Sequence, residues 1–178
     1  MSMHINEKDY FNNLNEIKSE RLVLEKVTDL DKYNWKEIED LFTKEIKEFL
    51  PPNIQRVIDY ETFKIVFKEL VQMAYCYYVI EKRTKEIIGI VILANDYSKE
   101  IMEIHLGYFF KSSSQGKGYA FETIESLIKK IESENIHCQI IAGMDKGNKQ
   151  SEKLISKLDF KKISEKSEAE TIFFTYKI

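Results

Sequence analysis

Apolar positions change period several times along the chain, and each change marks an element. Residues 21–27 (RLVLEKV) alternate apolar and polar, the period of a half-buried strand. Beyond it Tyr33, Ile38, Leu41 and Phe42 recur at helical spacing, which predicts a helix entered from Asp29 or Asp31 and running to about Ile46. The adjacent Pro51 and Pro52 place a loop there. Residues 60–73 form a second helix with Phe63, Val66, Phe67, Leu70 and Val71 on one face. Three strands follow as a meander at 76–81, 87–94 and 102–110, with turns at 82–86 and 95–99. A long helix spans 119–133, a strand 137–142, a helix 149–157, and two strands 160–164 and 171–176 close the chain. Residues 1–18 add an N-terminal helical extension.

The order β-α-α-β-β-β-α-β-α-β-β predicts an α+β fold, a mixed and mostly antiparallel sheet flanked by helices. The strand ending at Phe110, the long helix and the strand at 137–142 make a right-handed crossover. At 178 residues, with no repeat or linker, residues 1–178 are expected to be a single domain, as monomer or homodimer. Hydrophobic residues make up 43%, too many for a disordered chain. A net charge of −3 argues against nucleic acid as a partner. No apolar run approaches the roughly 18 residues of a membrane span, and the first 20 residues lack a signal-like apolar core, so a cytoplasmic protein with no membrane partner is expected. Cys76 and Cys138 sit in apolar stretches and read as reduced core thiols. The three histidines and two cysteines show no paired ligand spacing, so no metal is expected.

The sharpest local signal is KSSSQGKGYA, residues 111–120, between a strong strand and a strong helix. Gly116 and Gly118 free the backbone to turn where the amides of a helix N-terminus converge, an arrangement suited to a phosphate or pyrophosphate. An ordinary strand-to-helix turn is the plainer reading. Tyr119 after Gly118 excludes a Walker loop, and Phe121 occupies the third glycine position of a dinucleotide loop.

Gln115, Gly118 and Ala120 fit Q/R-x-x-G-x-G/A, and here the chain resembles the GNAT N-acetyltransferase superfamily. Three further stretches fall in that family's order. SERLVLEKVTDLD resembles its opening strand. HLGYFF is similar to the E-I-G-Y-W-L of the RimJ/RimL-like branch, which acetylates ribosomal-protein N-termini. NKQSEKLISKLDF is similar to N-x-x-S-x-x-L-x-x-K-L-G-F. The likeness spans about residues 19–178.

The resemblance implies an acetyl-CoA-dependent N-acetyltransferase that moves an acetyl group directly to a primary amine in a ternary complex. That amine belongs to a protein N-terminus, a polyamine or a small molecule. A non-catalytic acyl-CoA-binding regulatory module of the same fold is the alternative. Amides of Gln115, Gly116, Lys117, Gly118, Tyr119 and Ala120 would hold the pyrophosphate. The strand 107–110, with Tyr108, Phe109 and Phe110, would splay from 137–142 and pair with the pantetheine arm, helped by a bulge at Gly107. The N–H near Tyr108 would be the oxyanion donor. Asn148 would contact coenzyme A and Ser151 would meet its sulfur, although both also read as a helix cap and first turn. Relatives carry a tyrosine where this chain has Ile155, which gives Ser151 more weight, and Asp159 replaces a usual glycine at the helix exit. Glu103 and His105 share a face with Gly107 and are the candidate bases, imidazole being the side chain that titrates nearest neutrality; a histidine satisfied within the sheet is the competing reading. Lys111, Lys117, Lys149 and Lys153 are expected around the cofactor entrance. Glu45, Glu48, Asp59 and Glu61 are acids on the acceptor side.

Overall fold

The long elements form where the hydrophobic period is sustained. The computed structural model describes residues 7–163 and 170–178. It begins with α1 (Glu7–Asn13), β1 (Glu16–Lys18) and β2 (Leu22–Lys26). Four short helical pieces follow: α2 (Trp35–Ile38), a 3-10 turn (Glu39–Leu41), α3 (Lys44–Lys47) and α4 (Pro52–Gln55). Then come α5 (Tyr60–Met73), β3 (Tyr75–Glu81), β4 (Ile87–Asp96) and β5 (Met102–Phe110). A second 3-10 turn (Ser112–Ser114) leads to α6 (Tyr119–Ser133), β6 (Cys138–Asp145) and α7 (Lys149–Lys157). The strands β7 (Lys161–Ile163) and β8 (Thr171–Lys177) end the chain.

Two expectations are corrected. The helix from Asp29 or Asp31 to Ile46 is not continuous. Asp29 Oδ1 accepts the Asp31 amide at 2.9 Å, closing a turn instead of opening a helix. Helix entry waits for Asn34, whose amide donates to Glu37 Oε2 at 2.9 Å, and Pro52 then supplies the first residue of α4. The element order also gains β1, which covers the edge of β2; three residues with only Ile17 buried carry no readable alternation. The expected extension is helical only within α1, and residues 1–6 and Ser164 lie outside the described residues.

Among the described residues the sheet has eight strands in the order β1-β2-β3-β4-β5-β6-β8-β7, and only β5 and β6 pair in parallel. Both sheet faces are covered. On one, α6 presents Ile124, Leu127, Ile128 and Ile131 to Leu24, Tyr77, Val91 and Ile104. On the other, Phe42, Phe63 and Phe67 pack over Tyr78, Ile90 and Phe109. Burial of each large side chain contributes about 1.5–3 kcal/mol. The two faces therefore anchor β5 from both sides.

Asp159 does not spoil the exit of α7. It takes the left-handed conformation (φ 63°) that favours glycine, and the Phe160 amide still donates to Ile155 O at 3.3 Å. That conformation costs a non-glycine residue about 1 kcal/mol, part of which glycine gives back through a more flexible unfolded chain. Asp159→Gly is expected to raise stability by about 0.5 kcal/mol. Urea unfolding checks this; a lower midpoint contradicts it.

Candidate active site

The β5–β6 ladder stops halfway. Pairing runs from Met102 to His105 on β5, against Cys138 to Ile141 on β6. From Leu106 onward β5 keeps only β4, while β6 from Ala142 keeps only β8. The strands part there. Gly107 is no bulge, since its register with Ile92 is continuous and a Cβ would meet Ile92 at an ordinary 3.8 Å. The expected bulge is thereby corrected: loss of pairing makes the gap.

Antiparallel alternation says which groups enter it. Lys111 N–H donates to Ile88 O, so odd-numbered β5 residues turn their backbone to β4. Tyr108 and Phe110 then turn N–H and C=O into the gap. Gln115 Nε2 donates to Phe110 O at 3.4 Å, tying the next loop to the strand end. Phe109 bonds β4 with its backbone and offers only its ring.

In that loop Gly116 and Gly118 both have left-handed φ, 73° and 78°. Gly118 is the N-cap of α6. The Gln115 amide is already used on Ser112 O, which removes it from the expected anion donors. The amides of Gly116, Lys117, Gly118, Tyr119 and Ala120 have no backbone acceptor among the described residues. Free N–H groups at a helix N-terminus attract an anion.

Arg21 braces this loop from β2's entry. Its Nε donates to Glu122 Oε2 at 2.6 Å, its Nη1 to Lys117 O at 3.0 Å, and its guanidinium lies 4.6 Å from the Tyr119 ring centroid. Burial works to raise Glu122, but hydrogen bonds from the Ser19 hydroxyl and from Arg21 outweigh it and hold the carboxyl low. The negative charge at the first turn of α6 is thus neutralised locally. Sequence reasoning placed Arg21 in a strand and missed this pairing, because its partner lies 101 residues away.

One cleft of about 1690 Å³ joins these parts. It holds Tyr108, Phe109, Phe110, Gln115, Gly116, Gly118, Tyr119, Ala120, Asn148 and Ser151. Pockets for one small ligand run about 300–1,000 Å³, so there is room for two. Asn148 Oδ1 accepts the Ser151 amide at 3.1 Å, capping α7 and fixing Ser151 on its first turn. Across from it the Tyr108 hydroxyl is buried without a hydrogen-bond partner among the described residues, the Ser151 hydroxyl lying beside it outside bonding geometry. Burial pushes this phenol up to about 12, with Ser151 pulling slightly the other way.

Other expected residues lie elsewhere. Lys117 is not in the cleft wall, and neither are Glu103 and His105. These two sit where the sheet is still closed. Glu103 accepts from Gln139 Nε2 at 2.8 Å and stands 3.4 Å from His105 Nε2. Of the four entrance lysines only Lys153 lines the cleft, joined by Lys18, Lys129, Lys130 and Lys157. Lys111 instead donates to Glu37 O, and Lys149 pairs with Glu152. Of the acceptor-side acids only Glu45 lines it. Among the described residues no cluster of His, Cys, Asp or Glu could hold a metal ion, and no helix is long and apolar enough to cross a membrane.

A family model described as acetyltransferase (GNAT) domain matches residues 21–161. A search of curated proteins finds no match by sequence. Solved structures share the fold at low identity. An acetyltransferase (GNAT family) from Bacillus anthracis is 18% identical with a TM-score of 0.72, covering 91% of this chain and 98% of that one. A ribosomal-protein-S5-alanine acetyltransferase from Vibrio fischeri is 19% identical with a TM-score of 0.66, over 91% and 96%. RimL, a ribosomal L7/L12 alpha-N-protein acetyltransferase in complex with coenzyme A, is 18% identical with a TM-score of 0.74, over 92% and 98%.

Proposed function

The chain belongs to the GNAT acetyltransferase domain family, and from that premise we propose that it transfers acetyl from acetyl-coenzyme A directly to a primary amine in a ternary complex. The observation that carries this reading is the unpaired half of β5, which shares one cleft with the loop amides and Ser151. A chain of two phosphates followed by an extended arm fits that layout. The free amides of Gly116, Gly118, Tyr119 and Ala120 receive the phosphates, and the turned-out backbone of Tyr108 and Phe110 receives an added strand.

Acetyl-coenzyme A supplies an acetyl group already activated as a thioester. The protein's part is then positioning and charge stabilisation. The Tyr108 N–H is the donor for the carbonyl oxygen as negative charge grows there. Ser151 Oγ and Tyr108 Oη meet the departing sulfur. With a thiol near 8.5 by analogy with cysteine and the phenol up at about 12, the phenol donates a hydrogen bond and keeps its proton. The attacking nitrogen gives its proton to water, because Glu103 and His105 stand outside the cleft. An α-amine, with a pKa of about 7.7–8.0, is partly neutral at pH 7.5 and needs no stronger base, while an alkylamine, near 10.4 by analogy with lysine, reacts through its small neutral fraction.

The test is thiol release from acetyl-coenzyme A across a panel of N-terminal peptides, polyamines and small amines. Amine-dependent release with no acetyl-enzyme trapped is the expected result. Tight cofactor binding without release on any amine would point to the non-catalytic module.

A further inference from the structure

The cleft extends beyond the cofactor parts to a second wall, and that wall has its own chemistry. α3 and the residues after it contribute Ile46, Phe49 and Leu50, facing the same cleft as Phe109. Phe42 ties this wall to β5, its ring centroid 5.9 Å from that of Phe109. Phe49 is 51% exposed, an apolar ring held in a concave space instead of being folded away. A single exposed aromatic is common, but Phe49 and the partly exposed Leu50 share one cleft wall, backed by the buried Ile46, and together they make a contact surface.

Charge adds the second half. Most other acids that line the cleft are engaged: Glu16 with Lys18 at 2.7 Å, Glu122 with Arg21 at 2.6 Å and Glu125 with Lys129 at 3.0 Å. Glu45 lies on the apolar wall and has no cationic partner within salt-bridge distance among the described residues. Its own amide and the Thr43 hydroxyl hold its carboxyl below the ordinary range, so it is ionised at neutral pH. Glu20 also lines the cleft without an ion pair, but it stands next to Arg21 on the side of the glycine loop, and Glu48 is outside the lining, so among the described residues the apolar wall carries one carboxylate for one cation.

We infer that the acceptor is a primary monoamine on an apolar body, its ammonium drawn in by Glu45 and its body met by Phe49 and Leu50, which Ile46 supports from the core. A polyamine would bring further cations that this wall does not answer. The inference rests on the transferase reading above and narrows it. Two sources carry this chemistry, a free arylalkylamine and a peptide that begins with a large apolar residue.

The experiment compares kcat/KM at saturating acetyl-coenzyme A for 2-phenylethylamine, ethanolamine, spermidine and hexapeptides beginning with Phe or Ser. Expected is at least a tenfold preference for 2-phenylethylamine over ethanolamine, or for the Phe peptide over the Ser peptide, whichever source is the natural one. Phe49→Ala should erase most of that preference through KM. Phe49→Lys, which sets a cation beside Glu45, should weaken the apolar acceptor further while coenzyme A affinity stays within about twofold. Preference for spermidine, ethanolamine or the Ser peptide overturns the inference and leaves the transferase reading standing. So does an apolar preference that survives both variants. Absence of transfer to every amine, with coenzyme A bound, overturns the transferase reading itself and this inference with it.

Discussion

Gly118→Val should leave a folded protein whose affinity for coenzyme A has fallen at least 100-fold. Gly118 caps α6 with φ at 78°, where an L side chain is strained and a β-branched one more so. Space is not the obstacle, since a Cβ would stand 3.5 Å from Arg21 Nη2. The obstacle is the backbone, which escapes the strain by rotating the peptides on either side of residue 118. Those peptides carry amides assigned to the phosphates. A hydrogen bond to a charged group is worth about 1.5–3 kcal/mol, so losing two costs the stated factor or more. Residues 115–118 are exposed and outside both cores, so the fold survives, while the strain and the disturbed Lys117 O–Arg21 and Gly118 O–Glu122 bonds should lower the unfolding temperature by a few degrees. Calorimetry with coenzyme A on the folded variant decides the matter. Unchanged affinity would remove the loop from cofactor binding.

A second large effect concerns the two hydroxyls at the parting of β5 and β6. Ser151→Ala is expected to lower kcat by about ten- to 100-fold, the worth of one hydrogen bond to a developing thiolate, with coenzyme A affinity within about twofold. Tyr108→Phe should lower kcat too, yet raise stability. Its hydroxyl is buried and unsatisfied among the described residues, and such a group costs a fold about 1–3 kcal/mol. Opposite signs in rate and stability are what a group reserved for a ligand produces. Paired measurements of kcat and unfolding midpoint read both. If Tyr108→Phe destabilises the free protein and spares the rate, the hydroxyl is a structural group and the assignment is wrong.

The lysines show how far a one-dimensional reading goes. Lys111, Lys117, Lys149 and Lys153 stand near the loop or near Ser151 in sequence, but three of them turn away from the cleft. Lys129, Lys130 and Lys157 take part because one side of α6 and one side of α7 face the same space. The candidate bases stand outside the cleft for a related reason. Glu103, His105 and Gly107 share a strand face as period two requires, yet a ladder still bonded at His105 keeps the first two away from the opening. The broken helix before Ile46 misleads differently. Its apolar spacing is helical, but Asp29 and Asn34 hold local hydrogen bonds that a period count ignores.

Hydrophobic period and turn chemistry determined by themselves that β5, α5, α6 and α7 exist, with the bounds they have. They also determined that the chain between β5 and α6 needs glycine to present its amides. These are properties of a few consecutive residues, and the residues carry them wherever they are placed. Tertiary structure alone decided where β5 leaves β6, that Arg21 neutralises Glu122, that Tyr108 keeps an unspent hydroxyl beside Ser151 among the described residues, and that α3 walls the same cleft. Each of those depends on strand register or on packing between residues tens of positions apart. The free energy that sets them belongs to the assembled sheet and to no local window.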